Sequence, residues 1–477
     1  MKQYLSPAFV LILAFGLSGC FKDDSTDPSN PISELTATTT LLEKYETEKD
    51  KTFVLSAPEV IQTNPDKEIT YEWEIDYKVV SKDKELRYLG NKYGELPGRL
   101  VISNGDTHIT QYFKLNVLYS YGTGVYALAK QDGKTVLSYV PFRKNAEPYL
   151  DILRVENPDK DFGKEPAAVH FQSSYGQDVI YLSTKDPNKL FMFEANMMTL
   201  LQEVPTPRQG IPIDYITDNG NDTSVSVVEG GRLAGISRDN AIFDNYRFAY
   251  SFIPNGIASL SNKILYIPSP RNGYLNSTLY FDNGSGRFVS FDEVSQSGAP
   301  KFIFEKELTG LDLVDMDLVQ HKHEVVAVCT DRTSGAVCLA WFTPGTYETS
   351  GSSYKPEAPA IKDKREVPAS AHLSKRSEIE ISETTNLLFY SDGSNLYAYS
   401  VTSKGNFPKT PIFSTSPDEV ISDLLFSKDE GTLYIAANGS GENRPGSIYA
   451  IDVNQKYKTL WAKKNITGYI KQLFERP

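Results

Sequence analysis

The sequence predicts an all-β chain, a small N-terminal β-sandwich followed by a seven-bladed β-propeller. Three observations carry that prediction. The 477 residues include 29 Tyr, 24 Phe, 32 Gly and 27 Pro, a mixture that favours short strands and frequent turns over helical bundles. An apolar hairpin recurs, starting at Val125, Ile180, Val225, Leu279, Val325, Leu388 and Leu433. The repeat of roughly 50 residues is the length of a four-stranded blade, which must pack against neighbouring blades to bury both faces. Finally, one strand is left over at the C-terminus, where a ring would need it to close.

The chain opens with Lys2 and the apolar run Ala8 to Leu17, which has the length of a signal peptide and not of a membrane span. Leu17-Ser18-Gly19-Cys20 follows, with small residues before a cysteine, and matches the lipobox of bacterial lipoproteins. Residues 1–19 are therefore expected to be removed and Cys20 to carry lipid, which places the chain on a membrane without inserting it. Phe21-Lys22-Asp23-Asp24-Ser25 resembles the signal that sends some Gram-negative lipoproteins to the outer face of the outer membrane. Residues 20–34, rich in Asp, Ser, Thr, Pro and Asn, read as a flexible tether. A formal net charge of −12 argues against nucleic acid or anionic lipid surfaces as partners.

Residues 35–120 read as the sandwich. Thr52 to Ser56 and Ile69 to Ile75 alternate apolar and polar residues, and Arg87 to Leu89, Arg99 to Ile102 and Tyr112 to Leu118 continue the series. Tyr71, Trp73 and Ile75 share one strand face, with Trp73 as the expected core aromatic.

Residues 121–477 hold the repeats. Val125 to Leu128 turns at Asp132-Gly133 into Val136 to Tyr139, and Leu279 to Phe281 turns at Asn283-Gly284 into Phe288 to Phe291, for example. Lys458 to Lys463 would complete the seventh blade. Tyr469 to Phe474 would then serve as the inner strand of the first, closing the ring.

Familiar catalytic signatures are missing: there is no His-Glu-x-x-His, no Gly-x-Ser-x-Gly and no phosphate-binding glycine loop. His321 and His323 share a strand face but lack a third ligand, so no metal is assigned, and no cofactor is expected. Cys329 and Cys338 flank a hairpin turn, either as a disulfide, if they occupy a closely spaced pair, or as buried thiols. When the inner strands are aligned by the repeat, polar residues recur among apolar ones: His170, Asp214, Asp317, Glu380, Asp423 and Gln472. These are the ligand-binding candidates. They could face a central channel and bind a cation, sugar hydroxyls or a peptide amine. Alternatively, each blade uses its polar residue to hydrogen-bond a loop.

The Tyr-x-Trp strand followed by a turn and a later aromatic strand resembles the PKD-like domain, an immunoglobulin-like module of spacers and protein contacts. The order of lipobox, PKD-like sandwich and blade array resembles the PKD-like family of Gram-negative surface lipoproteins. That resemblance implies a non-enzymatic accessory or ligand-binding component of a SusC/SusD-type uptake complex, with a glycan or peptide as cargo. Only Cys20 carries over by position. The competing readings are a glycan-active hydrolase or lyase using propeller carboxylates, and a structural or adhesive surface protein.

Overall fold

The computed structural model describes residues 32–49, 51–143, 146–173, 178–205, 212–218, 224–238, 246–249, 259–267, 277–292, 301–319, 324–345, 347–350, 353–356, 358–402, 405–441 and 443–477. Cys20 and most of the tether, together with His321 and His323, lie outside them. The chain divides into two compact units between Ser120 and Tyr121. No helix among the described residues is long and apolar enough to cross a membrane.

The first unit is built on a five-stranded sheet, whose spatial order is Lys44–Glu48, His108–Leu118, Gly94–Ser103, Thr70–Ile75 and Lys78–Ser81. Two smaller pairs, Thr52–Ser56 with Glu85–Leu89 and Leu35–Ala37 with Val60–Gln62, complete it. Alternation sends Trp73 and Ile75 into a core shared with Phe53, Leu86, Leu100 and Phe113. Trp73 is fully buried, and its indole N–H donates to Asp83 O at 3.0 Å, so burial leaves no polar atom unpaired. Gly98 stands opposite Phe113, and any Cβ there would collide with the Phe113 ring. Lys44–Glu48 and Lys78–Ser81 gave no strand signal in the sequence, because no position in either is fully buried. Of the stretch assigned to the tether, Ser33 belongs to this unit. It is fully buried, its N–H donates to Asp106 Oδ2 at 2.9 Å, and its carbonyl accepts from Asn104 Nδ2 at 3.0 Å.

The second unit is a propeller-like series of small antiparallel sheets. Among the described residues, seven of them succeed one another along the chain. The first contains Gly124–Gln131 and Lys134–Pro141, with Tyr469–Arg476 from the other end of the chain as its third strand. Six four-stranded sheets follow, and their opening strands are Pro166–Gln172, Ile213–Asp218, Leu260–Ile267, Leu311–Val319, Ile379–Ile381 and Val420–Phe426. The seventh ends in Lys458–Thr467. Each opening strand lies against that of the next sheet, and Tyr469–Arg476 lies against both Val420–Phe426 and Pro166–Gln172, so the series returns on itself.

Packing explains the hydrophobic runs. Separate apolar clusters fill the interfaces between successive sheets, as where Tyr126, Leu128 and Tyr139 of the first meet Val169, Ile180 and Phe191 of the second. Val125, Ala127 and Ile470 of the first meet Tyr434, Ile448 and Ala450 of the seventh. Middle strands thus bury both faces. Val125 to Ala129 and Val325 to Thr330 are buried at every position, so they lack a polar alternate. One hairpin, Tyr347–Ser350 with Ser353–Pro356, is inserted between the last two strands of the fifth sheet.

Cys329 and Cys338 are directly opposite each other, and both are buried free thiols. The hairpin explains why no bond joins them. Asp331 N donates to Ala336 O at 2.9 Å, which makes that pair a hydrogen-bonded one. Alternation along the ladder makes Cys329 and Cys338 hydrogen-bonded too, the wider of the two spacings. The closely spaced pair that a disulfide needed is therefore not the one they occupy. Burial pushes both thiols above the usual range.

Candidate functional site

The six polar positions picked out by the repeat all lie on the innermost strands, but they do not form one site. Three of them, Asp317, Glu380 and Asp423, belong to a cluster with Lys263, Asp315 and Glu378. Lys263 Nζ, on the fourth sheet, lies 2.9 Å from Asp315 Oδ1 on the fifth. Burial opposes the Lys263 charge, yet the attraction of Asp315, Tyr215 and Glu380 outweighs it and holds the ammonium above its ordinary value.

The carboxyl groups are raised as well, which for them favours the neutral form. Burial first, with repulsion from Asp315 and Glu383 behind it, pushes Asp317 up to about 7. Glu378 rises to about 8 through burial and its neighbours Asp423 and Asp315. Glu380 is raised well above its ordinary value by burial and then by Asp317. Asp423 reaches about 7, again mainly by burial. One lysine facing several carboxyls cannot keep them all ionised.

Hydrogen bonds show what several of these groups do. Asp423 Oδ2 accepts from Leu473 N at 2.5 Å, which ties the seventh sheet to the closing strand. Glu380 Oε1 accepts from Phe426 N at 3.3 Å, which ties the sixth sheet to the seventh. Gln472 spans the next boundary with both ends of its amide. Its Oε1 accepts from Val169 N and its Nε2 donates to Val169 O, each at 3.0 Å. Asp317 instead accepts from its own neighbour, Leu318 N, at 2.7 Å.

His170 and Asp214 lie apart from this cluster. His170 Nε2 lies 3.2 Å from Asp218 Oδ1, and Asp214 Oδ1 lies 3.3 Å from Lys185 Nζ; both pairs join the second sheet to the third. Among the described residues, no group of three or more His, Cys, Asp or Glu side chains is placed to hold a metal ion. Much of the polar ring thus consists of side chains bridging one sheet to the next.

This assigns a measurable cost to Gln472. Gln472→Ala would leave the Val169 N–H and C=O without their side-chain partners. We expect a loss of about 1–3 kcal/mol of stability in denaturant unfolding. An unchanged midpoint would show that the amide is not a strut.

Sequence reasoning missed Lys263, Asp315 and Glu378. Lys263 falls at the end of an irregular stretch where the repeat could not be aligned. Asp315 and Glu378 each precede a selected residue by two positions, as Asp-x-Asp and Glu-x-Glu, a spacing that puts both carboxyls on one strand face. That doubling was the available signal.

No family model matches the chain, and no curated protein matches it. Solved structures do. A quinoprotein alcohol dehydrogenase-like protein from Bacteroides thetaiotaomicron is 15% identical, with 93% of this chain and 99% of that one covered at a TM-score of 0.45. The β-propeller domain of Cps50 (Swd1) from Myceliophteria thermophila is 12% identical, covering 66% and 86% at a TM-score of 0.39. Likeness at this level says nothing of what this chain does.

Proposed function

We propose that this chain is a lipid-anchored outer-membrane surface protein that binds a ligand or a transporter, without catalysis, in a SusC/SusD-type nutrient uptake complex. In this reading Cys20 carries the lipid, residues 21–32 form the leash, and the first unit is a PKD-like spacer. The second unit is a seven-bladed propeller that offers the binding surface. The observation that carries the non-enzymatic part is the use of Glu380 and Asp423 as acceptors for backbone N–H groups of the next sheet. A carboxylate engaged in this way is held as a structural acceptor, whereas a glycosidase needs two carboxyl groups free to converge on a sugar.

The test is affinity purification of the tagged full chain from detergent-solubilised outer membranes, with mass spectrometry of what accompanies it. Recovery of a transporter and its lid protein is the expected result. Recovery of neither, together with turnover of a glycan by the purified chain, would overturn the proposal.

A further inference from the structure

The chain passes from the first unit to the second through Tyr119-Ser120-Tyr121. Compact domains are ordinarily joined by exposed, flexible linkers that few contacts cross, so a loose tie is the default expectation. This joint departs from it, because each of its ends is fastened within its own unit.

In the first unit, order persists as far as Tyr119. Leu118 ends the strand His108–Leu118, and its carbonyl accepts from Lys49 N at 2.9 Å. The ring of Tyr119 then lies on that of Tyr93, with 4.2 Å between centroids. Lys49 Nζ sits 5.4 Å from the Tyr93 ring, which adds a cation to the aromatic pair. Tyr93 directly precedes Gly94–Ser103, the neighbouring strand, so the stack fastens the departing chain to the sheet it leaves.

In the second unit, order begins at Tyr121, which is only 2% exposed. Its N–H donates to Asn196 O at 3.2 Å, its carbonyl accepts from Arg476 Nη1 at 2.6 Å, and its hydroxyl donates to Glu156 Oε1 at 2.6 Å. The ring packs edge-on to Tyr139 and Tyr149, each at 5.9 Å between centroids. Main chain and side chain are both pinned.

Ser120 is what remains. Among the described residues, no hydrogen bond holds it. One free residue offers two soft backbone dihedrals and a reach of about 5–6 Å, since the reach of a flexible segment grows as the square root of its length.

We propose that Ser120 is a one-residue hinge, clamped by Tyr119 on one side and Tyr121 on the other, which lets the units swivel about one point and gives the joint no slack. The proposal does not depend on the uptake reading. Where that reading holds, reach from the membrane comes from the leash, and the joint adds only the swivel.

The test is double electron–electron resonance on the full chain in detergent micelles, with spin labels on Tyr112→Cys in the first unit and Val420→Cys in the second. Both positions are well exposed, at 72% and 57%, whereas Cys329 and Cys338 are buried and stay unlabelled. Inserting Gly-Ser-Gly-Ser after Ser120 takes the free residues from one to about five, and the spread of label distances should widen about twofold. Tyr119→Ala frees one further residue and should widen the spread about 1.4-fold. Tyr93→Ala removes the same stack from the other side and should act alike. A parent spread already as wide as that of the insertion variant would overturn the proposal, as would a spread that neither alanine substitution changes.

Discussion

Arg476→Ala is expected to destabilise the second unit by about 3 kcal/mol, near the lower end for breaking a buried ion pair. The side chain is 9% exposed, and Asp178, its ion partner at 2.8 Å, is 28% exposed, so some of the lost attraction is replaced by water. The remaining cost comes from its other bonds. Nη1 donates to Tyr121 O at 2.6 Å and to Ala195 O at 3.0 Å, while Nη2 donates to Asn196 Oδ1 at 2.5 Å. Removing the guanidinium takes a donor from two carbonyls and leaves Asp178 without its cation.

The position of this clasp explains its importance. Arg476 ends the closing strand, which carries Ile470 and Leu473 into the interface with the seventh sheet and Phe474 onto the Tyr126 ring, at 4.7 Å between centroids. Released, the strand would expose the edge of Gly124–Gln131 and both neighbouring interfaces. Thermal unfolding followed by near-ultraviolet circular dichroism would report the loss, because the Tyr126, Tyr139 and Phe474 rings lie in stacked contact. Arg476→Lys should recover only part of it, since an ammonium cannot reproduce the planar fork. An Ala variant as stable as the parent would show that apolar packing alone closes the ring.

What the sequence disclosed follows what repeats. Middle strands bury both faces, so their apolar runs stand out one residue at a time, and hairpin turns such as Asp132-Gly133 mark their ends. The closing strand was legible because Tyr469 to Phe474 had no other sheet to join. Innermost strands were harder to read. Bulges shift the register between Leu313 and Asp315 and between Ile421 and Asp423, so a fixed repeat cannot tell which of two adjacent polar residues meets the next sheet.

The second large effect is on pH. Raising the pH from about 5.5 to 8.5 is expected to lower the melting temperature of the second unit, by something on the order of 5 °C. Asp317 and Asp423 at about 7, Glu378 at about 8 and Glu380 well above its ordinary value all hold protons more tightly folded than unfolded. Between the unfolded and folded values the native state binds more protons, so stability falls as pH rises through that window. Below it, groups with lowered values such as Asp331 and Asp429 act in the opposite sense, and their contribution is lost as they become protonated. The optimum should therefore lie on the mildly acidic side. Lys263 limits the loss, because its charge favours the ionised carboxyls around it. Glu380→Gln isolates the cause. It retains an oxygen for Phe426 N but cannot ionise, so it should raise the melting temperature at pH 8.5 and change it little at pH 5.5. A parent whose melting temperature stays level or climbs between these values would show that the carboxyls are already ionised in the folded ring, held that way by Lys263 and the backbone N–H groups they accept from.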